Sequence, residues 1–314
     1  MYKCFGVDIG NSGCRVAELQ LATRQLGTML RIDWCHEQPG TVGSGGPGKR
    51  YRPGDPAWLL EVERFVAEQF AARHIAESAP ALWMISSVRR DASKLLLNYL
   101  ESRADCRVEL VGYASLPLKI EVESPEKVGI DRLLAALAAI ALTPQRPLLV
   151  VQAGSAVTVD LVSAFVAESR SLDTPPLDNV LLPAVGDSPG AAPAPWATFE
   201  GGAILPGVPM MLRLLGQGAD MLPEVEADEL VDLPPLPGRN TEQAMRCGTA
   251  SALVGGVWHL IQRYRQEYGE DLPVILSGGD GMRLSPYVEQ PRIMETHLVH
   301  RGLLRLAEQL AADS

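Results

Sequence analysis

The sequence reads YKCFGVDIGNSGCRVAELQL at residues 2–21 and PLLVVQAGSAVTVDLV at residues 147–162. Each stretch is an apolar, partly β-branched run, then a polar turn with glycine, then a second such run. This pattern predicts a β-hairpin. The turn glycines, Gly10 and Gly154, are separated by close to half of the 314-residue chain. We therefore predict two related α/β lobes with a cleft between them, each opened by a hairpin.

The segments between the hairpins support this division. Apolar residues at helical spacing predict helices at 58–74 and 92–103, and short apolar runs predict strands between them. Strands that alternate with helices indicate sheets covered by helices. We expect a boundary near Gln145 and Arg146, which gives lobes 1–145 and 146–314. A Pro-rich insertion is expected at 163–198 in the second lobe.

Composition and charge exclude several classes of function. The chain has 28 Lys and Arg against 38 Asp and Glu, a net charge of −10, which argues against nucleic acid or an anionic membrane as partner. No apolar run approaches the roughly 18 residues of a membrane helix, and the first residues enter a polar turn too early for a signal peptide. The five cysteines show no CxxC spacing. We expect a cytoplasmic protein without disulfides or a zinc site.

The first candidate site is DIGNSG at residues 8–13. A carboxylate at the end of a strand, followed by a tight glycine turn, exposes backbone amides to an anion. Asp8 is then suited to hold Mg²⁺ through water, and the metal offsets phosphate charge. Arg15 on the following strand adds a cation. An ordinary hairpin turn is the alternative interpretation.

The second candidate is Gly129-Ile130-Asp131-Arg132, where a loop becomes a helix. A carboxylate in the first turn of a helix is favoured for structural reasons, since it caps backbone N–H groups. The functional interpretation makes Asp131 a general base beside Arg132, which would anchor an anionic group. The residues themselves leave both interpretations open.

Four further segments carry weaker signals. The turn from Gln152 to Ser155 repeats the first glycine turn without its carboxylate, and the glycines at 201–207 predict either a nucleotide contact or a tight turn before a helix. The segment at 240–241 is a helix N-cap signal. The glycines at 277–281 end an apolar strand, a frequent place of ligand contact in α/β sheets.

Taken in order, these segments resemble the type III pantothenate kinases of the actin-like, sugar-kinase and Hsp70 ATPase superfamily. The resemblance covers nearly the whole chain apart from a Gly/Pro-rich loop at 37–57 and the Pro-rich insertion at 163–198, and its most specific motifs are GxDR and GGxIxPG. The matching segments are DIGNSGCR (8–15), ISSV (85–88), SPEKVGIDR (124–132), GSAVTVD (154–160), EGGAILPG (200–207), NTEQAMRCGTASALVGG (240–256), ILSGGD (275–280) and HLVHRGLL (297–304).

The resemblance implies two ribonuclease H-like lobes with an interlobe nucleotide cleft, a homodimer, and transfer of phosphate from Mg-ATP to pantothenate, the first step of coenzyme A synthesis. It makes Asp131 the catalytic base. Substrate contacts are implied for Gly129, Ile130, Arg132, Val122 and Thr241, the last from the partner subunit. Contacts with ATP are implied for Asp8, Ile9, Gly10, Asn11, Ser12, Gly13, Cys14, Arg15, Gly154, Ser155, Gly202, Gly278 and Gly279.

Three positions depart from the family pattern. The family usually has Lys where this chain has Arg15, an Asp that binds K⁺ where it has Gln152, and often Tyr where it has Val122. Gln supplies an oxygen without charge, so we expect a K⁺ site at Gln152 to be weakened or lost. Two alternatives to a pantothenate kinase are a catalytically weak paralogue that binds nucleotide or pantothenate, and a kinase for another small hydroxy acid.

Overall fold

The structure is a computed structural model and describes residues 3–35, 50–72, 80–103, 105–166, 195–225, 234 and 236–312. The strands within these ranges are β1 (Lys3–Ile9), β2 (Gly13–Gln20), β3 (Gln25–Trp34), β4 (Arg50–Tyr51), β5 (Ala81–Ser87), β6 (Cys106–Leu110), β7 (Leu118–Ile120), β8 (Leu148–Ala153), β9 (Ala156–Ser163), β10 (Ala197–Pro206), β11 (Val274–Ser277) and β12 (Arg292–Met294). The helices are α1 (Leu59–Ala71), α2 (Arg90–Glu101), α3 (Ile130–Ala139), α4 (Val208–Gly218), α5 (Thr241–Tyr268), α6 (Gly281–Leu284) and α7 (Leu298–Ala312).

The first sheet has the order β4-β3-β2-β1-β5-β6. Strands β1, β2 and β3 form an antiparallel meander, and β5 and β6 extend the sheet parallel to β1. One face of β1 carries Phe5, Val7 and Ile9 into a core formed with α1 and α2. Because side chains alternate along a strand, Asp8 lies on the other face.

The second sheet repeats this arrangement, with the order β12-β11-β8-β9-β10-β7. Strands β8, β9 and β10 form an antiparallel meander, and β11 and β12 extend the sheet parallel to β8. Both edge strands, β4 and β7, pair parallel to the third strand of their meander. The predicted hairpins and the α/β fold with two related lobes are therefore confirmed.

Contacts divide the chain into two compact units. Unit 1 comprises residues 1–116, 128–138 and 297–314, and unit 2 comprises residues 117–127 and 139–296. This division differs from the boundary that we expected at 145–146. The reasons are that β7 pairs with β10 of the second sheet, and that α7 packs against β1, β2 and β5 of the first.

Several predicted elements agree with the structure and one does not. Helix α5 begins at the predicted N-cap segment 240–241, and its N-cap is Asn240, whose Oδ1 accepts a hydrogen bond from Gln243 N. Residues 201–206 belong to β10, where they pair with β9, and do not form the tight turn that was one of the two interpretations of these glycines. Most of the predicted insertion at 163–198 lies outside the described residues. Among the described helices, none is long and apolar enough to cross a membrane.

Candidate active site

In unit 1, Asp8 is the centre of a polar group on one face of the first sheet. Its Cα is paired with Arg15 on β2 and with Ser86 on β5. Side chains of directly opposed residues lie on the same face of a sheet and are close neighbours. The sheet therefore places a cation and a hydroxyl on either side of the Asp8 carboxylate.

The predicted phosphate turn is a tight loop that closes the β1–β2 hairpin. Gly10 N donates to Gly13 O at 2.9 Å, and the residues between them, Asn11 and Ser12, are exposed. Within the predicted ATP-binding segment, Ile9 and Cys14 have side chains that are completely buried in the core with α1 and α2. A contact of these two residues with a ligand is thus confined to their backbone atoms.

Asp131 lies at the start of α3, as the sequence predicted. Its Oδ1 accepts a hydrogen bond of 3.0 Å from Arg132 N. A Cβ on Gly129 would lie 2.4 Å from this oxygen, so any larger residue there would displace the carboxylate. The structure therefore supports the capping interpretation, and glycine at 129 leaves room for the carboxylate.

The charge of Asp131 affects the protonation of Asp8. Burial and the charge of Asp131 raise the pKa of Asp8 to about 6, against the opposing effects of Arg15 and Ser86. Burial also raises the pKa of Asp131, although the Arg132 N–H hydrogen bond and the Arg132 charge oppose the rise. A raised pKa brings a carboxylate closer to what a general base needs at neutral pH.

His300 and Trp34 hold the backbone of this group in place. His300 on α7 is buried, and its Nε2 lies 3.2 Å from Arg15 O. A carbonyl can only accept, so Nε2–H is the donor. Burial lowers the pKa of His300 to about 3, so the ring is neutral at physiological pH. Trp34 Nε1 donates to Gly10 O at 3.0 Å, and Trp34 N donates to Ser12 O.

In unit 2, three glycine segments meet at the tip of the β8–β9 hairpin. Gly207 N donates to Ser155 O at 3.0 Å, and Asp280 N donates to Ala153 O at 3.2 Å. Gly278 has φ +87, and a Cβ there would lie 2.1 Å from Ala153 O, so this position demands glycine. The predicted positions Gly154, Ser155, Gly278 and Gly279 are thereby brought together.

Gln152 occupies the position at which the family usually has an Asp that binds K⁺. Its side chain offers an amide oxygen but no negative charge. Gln152 is paired across the hairpin with Thr158. Within the described part of the chain, Gln152 Oε1 and Thr158 Oγ1 are buried and have no hydrogen-bonding partner. Oxygen donors suit a monovalent cation in kind, but amide and hydroxyl dipoles attract it less than a carboxylate does. The observed side chains therefore fit a weak cation site.

Three predicted residues of unit 2 lie away from this hairpin tip. Gly202 pairs with Asp160, four register positions along β10 from Pro206. Val122 lies beside Gly201, where its Cγ1 would be 3.2 Å from an added Cβ. Thr241 is the exposed first residue of α5. Contacts of these residues with nucleotide or substrate stay predictions.

Sequence reasoning did not assign Ser86, His300 or Trp34 to the site. Ser86 lies in the ISSV segment and His300 in HLVHRGLL, so the segments that match the family already contain both residues. A lone histidine or tryptophan gives no signal of its own, since its partner here is a backbone carbonyl distant in sequence. Among the described residues, no cluster of three or more His, Cys, Asp or Glu forms a metal centre.

Comparison with known proteins gives a consistent result. Residues 51–167 and 195–263, more than half of the chain, match the family model described as type III pantothenate kinase. A protein of Rhodopirellula baltica named type III pantothenate kinase is 31% identical over 96% of this chain and 97% of its own length. A protein of Acidovorax ebreus with the same name is 31% identical over 61% of this chain and 62% of its own length.

The solved structures that resemble the chain are more distant. An inorganic polyphosphate/ATP-glucomannokinase from Arthrobacter sp. strain KM is 13% identical and matches all of both chains, with a TM-score of 0.43. This likeness is too remote to inform function.

Proposed function

The chain belongs to the type III pantothenate kinase family, and we propose that it transfers the γ-phosphate of ATP to pantothenate, the first step of coenzyme A synthesis. The observation that carries the proposal is the group in unit 1 formed by Asp8, Arg15 and Asp131. Family membership defines the reaction, and this group offers the charges that the reaction needs.

In this proposal Asp131 is the catalytic base. Its carboxylate takes the proton of the pantothenate hydroxyl as that oxygen attacks the γ-phosphorus, while the bond from phosphorus to the β–γ bridging oxygen breaks and ADP leaves. The hydrogen bond from Arg132 N fixes the carboxylate, and its raised pKa suits proton transfer near neutral pH. The side chain of Arg132 then anchors the substrate carboxylate.

Asp8 and Arg15 serve the phosphates. We assign Asp8 to Mg²⁺ through water. Burial and the neighbouring Asp131 carboxylate raise the pKa of Asp8, and a bound divalent cation would stabilise the ionised form of this side chain. When bound, Mg²⁺ neutralises charge on the transferred phosphoryl group. Arg15 adds a fixed cation, and Asn11 and Ser12 present polar groups in the turn.

The hairpin tip in unit 2 supplies further proposed contacts with ATP. Exposed Gly154, half-buried Ser155 and the adjoining Gly278 and Gly279 offer backbone amides and a hydroxyl without bulky side chains. Such a surface suits a phosphate chain, to which backbone can approach closely.

A homodimer and a cytoplasmic location also belong to the proposal. Self-association is supported by large apolar side chains exposed on unit 2, among them Met221, Leu236 and Trp258.

An assay of turnover tests the function. Purified protein with Mg-ATP and pantothenate should release ADP and phosphopantothenate in equal amounts, and Asp131→Ala should abolish both. Pantothenate-independent ADP release, or turnover no higher than that of the variant, would rule out pantothenate kinase activity. A panel of other small hydroxy acids would then test whether the hydroxyl substrate is a different one.

The cation requirement is a separate prediction. Because Gln152 brings no charge, turnover of the wild-type protein should be equal in K⁺ and Na⁺. Gln152→Asp should create a preference for K⁺ of several-fold, since a carboxylate beside Thr158 Oγ1 attracts the ion. Gln217→Asp makes the same change on the exposed surface of α4 and should leave both rates unchanged. A wild-type enzyme strongly activated by K⁺ would contradict the prediction.

A further inference from the structure

Arg89 reaches the turn at 10–13 from the loop that follows β5. Its Nη1 donates to Asn11 O at 3.4 Å, across 78 positions of the chain. Strands β1 and β5 are parallel, so both end at the same edge of the first sheet, and Val88 N donates to Ile9 O at 3.0 Å just beyond β5. The structure thus brings a guanidinium to the turn that we assign to ATP, although sequence reasoning gave Arg89 no role.

The hydroxyl of Ser87 fixes the backbone from which this side chain projects. Ser87 Oγ accepts a hydrogen bond of 3.0 Å from Arg89 N and donates one of 3.0 Å to Arg89 O. Both polar backbone atoms of Arg89 are therefore tied to the last residue of β5. Because the backbone is already ordered, less conformational freedom is lost when the side chain contacts a ligand.

Asp91 orients the guanidinium itself. Arg89 Nε donates to Asp91 Oδ1 at 3.1 Å, and the same oxygen accepts a hydrogen bond of 2.9 Å from Ala92 N in the first turn of α2. Within the described part of the chain, these contacts and the one to Asn11 O use Nε and Nη1. The outer N–H groups of the guanidinium, on Nη2, are left for a further acceptor.

The contact of Arg89 with the turn is weak enough to be exchanged for another. A separation of 3.4 Å is long for an N–H···O hydrogen bond. The side chains of Arg89 and Asp91 are 32% and 46% exposed, and exposed ion pairs contribute little to stability. A phosphate oxygen carries charge and is a stronger acceptor than the Asn11 carbonyl. A phosphate at the turn would therefore compete well for the guanidinium.

The charge balance of the proposed site favours a further cation at the turn. Asp8 and Asp131 are carboxylates, and the charges of Arg15 and Arg132 oppose the rise in their pKa values. This group is balanced before any nucleotide arrives, and Mg-ATP brings more negative charge to a chain whose net charge is −10. Arg89 would offset part of that charge, because water screens its half-exposed carboxylate partner.

We propose that Arg89 is a phosphate-binding residue of the kinase site, whose guanidinium donates hydrogen bonds to a phosphate oxygen of ATP held at the 10–13 turn. This inference rests on the proposed function, since it assigns the ligand of the turn to ATP. Ser87 and Asp91 act as positioning residues for Arg89. The alternative is a bracing role, in which Arg89 only ties the turn to α2.

Calorimetric titration of the full chain with Mg-ATP, without pantothenate, tests the proposal. Arg89→Gln should weaken the binding of Mg-ATP about tenfold, because a charge-assisted hydrogen bond is lost. Arg90→Gln removes the same charge from the exposed first residue of α2 and should bind within about twofold of the wild type, since water and salt screen that charge. Equal weakening by the two substitutions, or wild-type affinity of Arg89→Gln, would overturn the proposal.

Salt separates a phosphate contact from a bracing role. Raising the salt concentration from about 0.1 M to about 1 M shortens the Debye length from about 10 Å to about 3 Å. If Arg89 contacts phosphate, the ratio of the Kd of Arg89→Gln to that of the wild type should shrink at high salt. An unchanged ratio would mean that Arg89 only braces the turn, and would overturn the proposal.

Arg89→Lys is a second variant for the case that Arg89→Gln does not fold. It keeps the charge and loses the planar fork with which arginine binds phosphate. It should bind Mg-ATP more weakly than the wild type and, where both variants fold, more tightly than Arg89→Gln. A folded Arg89→Lys variant with wild-type affinity at both salt concentrations would overturn the proposal.

The binding data separate this proposal from the proposed function. If the wild type binds Mg-ATP but forms no phosphopantothenate, the kinase function fails and the role of Arg89 is still decided by the titrations. If the wild type phosphorylates pantothenate and Arg89→Gln binds Mg-ATP equally well, only the role of Arg89 is overturned. A wild type that does not bind Mg-ATP would overturn both.

Discussion

Replacing Asp131 by asparagine is expected to lower kcat for pantothenate phosphorylation by about 10²- to 10⁴-fold, the usual contribution of a general base. Asparagine keeps an oxygen that can accept the hydrogen bond from Arg132 N, so α3 should keep its first turn. The variant loses the ability to take a proton. Steady-state kinetics at saturating ATP and pantothenate measure the effect.

Two further measurements separate catalysis from structure in this variant. The unfolding midpoint in urea should stay close to that of the wild type, because capping is preserved. Glu126→Gln, in the exposed turn before α3, makes the same kind of change and should retain full activity. If kcat of the Asp131→Asn variant stays within threefold of the wild type, Asp131 caps the helix and is not the base.

Replacing Asp8 by asparagine should reduce turnover by about 10²-fold or more and, in the same molecule, stabilise the free protein. The first effect follows from loss of the carboxylate that we assign to Mg²⁺ and the phosphates. The second follows from the pKa of Asp8, which burial and the charge of Asp131 raise from 3.8 to about 6. The folded state thus binds the proton more tightly than the unfolded chain does.

The sign of the pH dependence follows from this difference. At pH values above 6, Asp8 is ionised in the folded state, although the folded environment favours its protonated form. This lowers the free energy of unfolding by about 2 kcal/mol, once the partial exposure of the Asp8 side chain is allowed for. As the pH falls from 6 to 4 the folded state takes up the proton and this destabilisation disappears. Urea unfolding should show that Asp8→Asn is more stable than the wild type at pH 8, with no comparable gain at pH 4.

Asp91 gives a control of opposite sign. Despite desolvation, its pKa is lowered, because hydrogen bonds from Ala92 N and Arg89 and the Arg89 charge outweigh burial. Its ionised form therefore stabilises the fold, and Asp91→Asn should destabilise the protein at pH 8. Equal effects of the two substitutions at pH 8 would contradict the electrostatic account of Asp8.

The parts of the fold that the sequence predicted are those with local causes. The two hairpins depend on apolar runs around glycine turns, and the start of α5 depends on Asn240, whose side chain caps the helix. Strand β10 was not predicted, because Gly201 and Gly202 favour a turn and the strand depends on pairing with β9. Local preference is a weak guide where tertiary pairing decides.

The candidate site shows the same distinction. Asp8 and Asp131 were identified because each begins or ends an element beside glycine. Their electrostatic interaction was not predicted, because it depends on where β1 and α3 lie in unit 1. His300 was missed for a related reason: its partner, Arg15 O, is 285 positions away in the chain. Contacts of that kind follow from packing, which a single sequence does not display.

The position of α7 in the chain has a consequence for biosynthesis. Helix α7 packs against β1, β2 and β5 in unit 1, yet residues 298–312 follow every residue of unit 2. A ribosome makes the chain from the amino terminus at about 5–20 residues per second, and domains tend to fold as they emerge. All residues of unit 2 are therefore made before α7, and the first sheet must wait for α7 and its His300. During translation, the half of the molecule that is made first is therefore finished last.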